Sequence, residues 1–159
     1  MMTDLPFNLN LIKEKNSFRE TLLYVFSKIK TNKFFFLTDD DVFIRNINFN
    51  DFLKIDPQNT IVSLRHNPKI DYSYTANANF KPPKFNNYKE NNNLNEFEWF
   101  ESGYEWSDPW SVNGQIYLTA EVSVMSKISS YKFPNSYENA LKFFNFMMFD
   151  FENLIKFLS

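Results

Sequence analysis

The chain has 159 residues, a formal net charge of −2 and no cysteine, so it can bury a core but holds neither a disulfide nor a reactive thiol. The near-balanced charge gives no electrostatic case for nucleic acid. With glycine only at Gly103 and Gly114, neither a G-x-G-x-x-G fingerprint nor a P-loop can be written, so any nucleotide must be held by another device.

Ser17 followed by Glu20 is a capping-box signature, and Phe18, Leu22, Leu23, Val25, Phe26 and Ile29 then fall on one stripe, which predicts a helix over 17–30. The apolar run Phe34-Phe35-Phe36-Leu37 follows, with no alternation, and predicts a strand at 33–38 covered on both faces. Asn50 can cap a short helix through Ile55, stopped by Pro57, and Thr60–Leu64 reads as a second strand. Residues 75–98 carry Pro82-Pro83 and an Asn-rich run without periodicity, and read as a long loop. Ser111–Leu118 predicts a third strand, Thr119–Ser130 a helix, and Asn135 the cap of a helix ending near Asn145. From Phe143 to Leu158 the tail reads as a core-facing helix interrupted by polar residues. No stretch reaches the ~20 apolar residues that span a bilayer, and the N-terminus has no signal pattern, so a soluble cytoplasmic protein is the default expectation. The 20 phenylalanines and the many asparagines read as compositional bias rather than as a stacking surface.

The most informative residues stand where the apolar run meets Asp39-Asp40-Asp41. In an extended segment alternation puts Asp39 and Asp41 on one side and Asp40 on the other. Two carboxylates at that spacing repel each other unless a cation lies between them, and hard oxygen ligands favour Mg²⁺ or Mn²⁺. The same three acids also read as a solvated turn after a strand. Arg65, at the end of the second predicted strand, can pair with a phosphate or with one of these carboxylates. Glu105 and Asp108 lie among Trp99, Trp106 and Trp110, a mixture that suits a sugar, whose C–H faces pack on aromatic rings while its hydroxyls meet acids. Tryptophan clusters also serve as core. His66 is the only histidine, which leaves no motif for a Ser-His-Asp triad and no ligand set for zinc.

Leu37-Thr38-Asp39-Asp40-Asp41-Val42-Phe43 resembles the D-x-D segment of glycosyltransferases with the A-type fold. Val62-Ser63-Leu64-Arg65, Asn67, Tyr72-Ser73-Tyr74, the run from Trp106 to Tyr117 and Asn135-Ser136-Tyr137-Glu138 follow in the order and spacing of one bacterial glycosyltransferase-like group, so that the resemblance covers roughly residues 17–150. The D-x-D alone is common, whereas Ser-Val-x-Gly-x-Ile-Tyr after a Trp/Pro segment is more distinctive. This chain has Asn113 and Gln115 where the group has Asp and His.

The resemblance implies an α/β domain, a partial A-type glycosyltransferase with a mostly parallel sheet and flanking helices, spanning 1–159 and lacking the strands that hold the nucleotide base in that group. It implies transfer of a sugar from a nucleotide-sugar donor to a hydroxyl of a carbohydrate acceptor. Asp39 and Asp41 would hold Mn²⁺ or Mg²⁺, Asp40 and Arg65 would contact the donor, and Glu105 or Asp108 would act as base. An incomplete sheet implies association, with a second copy or with a separate N-terminal half. The alternative is a non-catalytic sugar-binding or assembly module derived from a glycosyltransferase.

Overall fold

Helix α1, Phe18–Lys28, begins where Ser17 turns extended and its Oγ accepts the Glu20 N–H at 3.2 Å, so the capping residue read from sequence occupies its place. The computed structural model describes residues 10–44, 46–56, 60–89, 94–99 and 102–145. The chain continues as strand β1, Lys33–Phe35, helix α2, Asn50–Leu53, and strand β2, Val62–Ser63. Two-residue strands follow: β3, Tyr72–Ser73, with β4, Ala78–Asn79, and β5, Asn86–Asn87, with β6, Asn95–Glu96. A 3₁₀ turn at Tyr104–Ser107 leads to strand β7, Gln115–Leu118, helix α3, Thr119–Ile128, and helix α4, described over 134–145. Pro134 opens α4, one position before the expected cap, because proline's fixed φ suits the first helical residue. Beyond 145 the helix expected at 143–158 lies outside the described residues.

The expectation of a mostly parallel, A-type glycosyltransferase sheet is overturned. The main sheet has the order β1-β7-β2, and β7 pairs antiparallel with both neighbours, with Phe34 opposite Tyr117 and Val62 opposite Ile116. The two smaller pairs are antiparallel as well, so no parallel pairing occurs among the described residues. The misreading has a definite cause. An unbroken apolar run reports cover on both faces and says nothing about the direction of the neighbouring strand. Direction is set by how the chain returns, and the neighbour of both β1 and β2 is β7, which arrives about eighty residues after β1.

β1 is only half-buried, although both of its sides meet aromatic rings. Phe34 and Phe36 turn to one side, where their rings meet Phe26 of α1 and each other, with centroids 4.9–6.3 Å apart. Phe35 points to the opposite side and stacks on Phe49 at 5.7 Å. The buried core joins Leu22 and Phe26 of α1 to Tyr117 of β7, Val122 and Met125 of α3, Tyr131, and Tyr137 and Leu141 of α4. The Ser126 and Tyr137 hydroxyls, both buried, satisfy each other at 2.7 Å. The segment 75–98, read as loop, carries β4, β5 and β6, each only two residues long.

Candidate functional site

Gly114 is the joint on which the site is built. Its N–H donates to Phe36 O and its carbonyl accepts from Leu64 N, both at 2.8 Å, so one residue ties the continuation of β1 to the end of β2. Its φ of 72° lies in the left-handed region that glycine adopts without penalty. The loop before it is held from inside. The buried Tyr117 hydroxyl accepts the Ser111 N–H at 2.8 Å and lies 2.6 Å from Ser111 O and 3.2 Å from Pro109 O. Burial pushes that phenol far above its usual pKa, which keeps it a neutral donor.

An open cleft of about 1280 Å³ runs beside this joint. Asp41, Arg65, Asp108, Asn113 and Gln115 all line it, although they come from segments far apart in sequence. Thr38 Oγ1 lies 3.4 Å from Asn113 Oδ1, which sets the acidic segment directly against the Ser-Val-x-Gly-x-Ile-Tyr block.

The acids do not stand in the extended arrangement expected of them. Asp41 N–H donates to Thr38 O at 3.2 Å, closing a turn over 38–41, and Asp41 Oδ2 accepts from Thr38 N at 2.8 Å and from Thr38 Oγ1 at 3.0 Å. This is a local side-chain-to-backbone turn of the kind short polar residues favour. Asp39 and Asp40 are exposed, and neither is among the residues lining the cleft. Asp39 and Asp41 therefore do not share one side of a strand. Among the described residues no three His, Cys, Asp or Glu side chains gather as a metal would require. The acids thus lack the paired arrangement through which the resemblance implied Mn²⁺ or Mg²⁺ would be held.

Asp108 is engaged through one carboxylate oxygen and covered at the other. Oδ2 takes an ion pair from Lys142 Nζ at 2.7 Å, while Oδ1 is covered by protein and has no hydrogen-bond partner among the described residues. Burial raises its carboxyl above the ordinary 3.8, with the Lys142 hydrogen bond and charge opposing. A base so enclosed is not presented to an acceptor hydroxyl in this conformation. Glu105 falls on the 3₁₀ turn, and its side chain lies outside the described residues.

Arg65 is half-buried, with Nη1 3.5 Å from Ser111 Oγ and Nη2 3.2 Å from His66 Nε2. The guanidinium has no acceptor, so the His66 nitrogen facing it is the lone-pair nitrogen. The His66 ring stacks on Trp106 at 4.6 Å, and Phe85 and Phe97 close on Trp106 edge-on. Trp106 and Trp110 are 2 % and 1 % exposed. Trp110 stacks on Tyr117 at 5.4 Å, so both indoles spend ring faces on protein rather than offering them to a sugar. Gln115 is equally committed: with its amide nitrogen toward the loop it donates to Asn113 O at 2.6 Å and Ser111 O at 3.3 Å.

Sequence reasoning missed Lys142 and Thr38. Nothing in the sequence ties a lysine on the last helix to Asp108, whereas a threonine three residues before an aspartate is a recognisable turn pattern. No helix among the described residues is long and apolar enough to cross a membrane. Comparison of the chain with protein-family models, with curated proteins and with solved structures finds no match in any of the three.

Proposed function

We propose that this chain acts on carbohydrate, as a glycosyltransferase-like module that holds in its cleft the sugar of a nucleotide-sugar donor or its hydroxyl acceptor. The observation that carries the reading is the convergence at Gly114. Three of the segments that carry the glycosyltransferase resemblance, 37–43, 62–67 and 106–117, meet there: Gly114 is hydrogen-bonded to Leu64 and to Phe36, the residue before the first of them, Thr38 lies beside Asn113, and all three line a common cleft. Amide and carboxylate side chains, with the half-buried Trp99 beside them, supply the mixed polar and aromatic lining that sugars require. The antiparallel sheet removes fold as support, so the reading rests on the site alone.

A non-catalytic sugar-binding module is the second reading. The enclosure of Asp108 and the engagement of Asp41 favour it, since Lys142 and Thr38 already hold an oxygen of each acid.

Thermal denaturation of the purified chain with nucleoside diphosphates, nucleotide-sugars and free oligosaccharides, with and without Mn²⁺, tests the proposal. A ligand at ~100 times its dissociation constant adds about 2.7 kcal/mol, a shift of several degrees for a chain of this size. Stabilisation by nucleotide-sugar together with turnover supports transfer, and stabilisation by sugars without turnover supports the binding module. If no member of the panel moves the transition, the carbohydrate reading is lost.

A further inference from the structure

We propose that Arg65 is the anion-binding position of this cleft, taking a phosphate or carboxylate group of the bound ligand directly, without a metal ion. That the ligand is a sugar rests on the reading above; that it carries an anion at Arg65 does not.

The guanidinium is half-buried at the joint where β2 meets Gly114, and its only hydrogen-bond neighbours on the described residues are the neutral Ser111 hydroxyl and the His66 ring. It forms no ion pair among the described residues. A partly desolvated cation without a partner is costly, and five N–H donors in a planar fork match a phosphate or carboxylate two at a time. Asp108, whose carboxyl feels the Arg65 charge, already carries Lys142 at 2.7 Å. Among its charged residues the rest of the lining is mostly acidic, with Asp41, Asp51, Glu96 and Glu98, while its other cation, Lys84, is exposed. An anionic group is therefore attracted at Arg65 and disfavoured near those carboxylates, which orients the ligand in the cleft. His66, stacked on Trp106 and accepting from Nη2, holds the fork in plane.

The test is calorimetric titration of the full chain, in EDTA, with glucose, glucose 1-phosphate, glucuronate and inorganic pyrophosphate. Glucose 1-phosphate or glucuronate should bind at least about tenfold more tightly than glucose, as expected of charge-assisted bonds. Which of the two gains the advantage tells phosphate from carboxylate. R65Q should erase the advantage and R65K keep part of it, because lysine retains the charge without the fork. Added salt should shrink it in the wild type, an arm that stands even if R65Q does not fold. Equal binding of charged and neutral sugars, an advantage that survives R65Q, or one that appears only with Mn²⁺ would overturn the proposal. Pyrophosphate binding abolished by R65Q, with no sugar bound, would refute the carbohydrate reading and leave the anion position standing. Absence of binding by all four probes would overturn both.

Discussion

Two regions of similarly apolar sequence reach opposite ends of the burial scale. Around α3 and α4, Tyr117, Val122, Tyr137 and Leu141 are 0–1 % exposed, whereas along the cleft rim Val42 and Ile44 are 80 % and 84 % exposed. Hydrophobicity is the same in kind, so the difference lies in the backbone. In the helices apolar side chains recur on one face while the peptide groups are bonded internally, so the face can be buried at no cost in unsatisfied N–H and C=O groups. Between β1 and β2 the described chain holds only one turn of helix, and burying those residues would bury unpaired peptide groups with them. The packed region is therefore the scaffold, and the rim is free to shape a cleft.

The sharpest way to break this comparison is a pair of truncations. Leu141→Ala should destabilise the chain by roughly 2–5 kcal/mol in urea unfolding, because it empties a fully buried site, while Val42→Ala should stay within about 0.5 kcal/mol. Equal effects would show that the rim is packed as the core is.

Tyr117→Phe probes the boundary between the two regions. It removes the hydroxyl that satisfies Ser111 N inside the core and should cost about 1–3 kcal/mol in the same experiment. If ligand binding in the cleft falls together with stability, the core is holding the loop that shapes the cleft; unchanged binding would separate them.

Gly114→Ala should cost about 1–2 kcal/mol from its φ of 72°. An added Cβ would meet Leu64 Cβ at 3.5 Å, an ordinary contact, so strain rather than a clash is at issue. A neutral outcome by urea unfolding would mean that the joint tolerates a shift.

The smallest effect expected is the pH dependence set by Asp108. Its folded-state pKa is raised by burial, so the folded chain keeps a proton that the unfolded chain has released. Stability should therefore fall as the pH rises from about 3.8 through the raised folded value, by linkage. Asp108→Asn should flatten that part of the unfolding profile; an unchanged slope would assign it to other carboxylates.

Local features were legible from the sequence, and relations between distant residues were not. Ser17 with Glu20 gave the start of α1, and the stripe through Leu22 and Phe26 gave its buried face, because helix capping and 3.6-residue periodicity act within a few positions. A strand starting at Lys33 and aromatic cover on its two sides were also readable, although the strand ends at Phe35 rather than at Thr38. Its antiparallel partner was not, since direction depends on how the chain returns, and the segment that returns, β7, lies about eighty residues on. Asp39-Asp40-Asp41 could be seen as chemically notable, but whether they face one side or fold into a turn was decided by the Thr38 hydrogen bonds. Asp108 could be chosen as an acid among tryptophans, yet its enclosure comes from Lys142 on α4, and sequence carries no trace of that approach. Periodicity, capping and turn chemistry are properties of short stretches, so the sequence by itself determined longer elements such as α1 and α3, and not the two-residue strands within 75–98. Strand direction, the meeting of Arg65 with Ser111 and the convergence at Gly114 depend on which distant faces bury one another, and only the tertiary structure decided those.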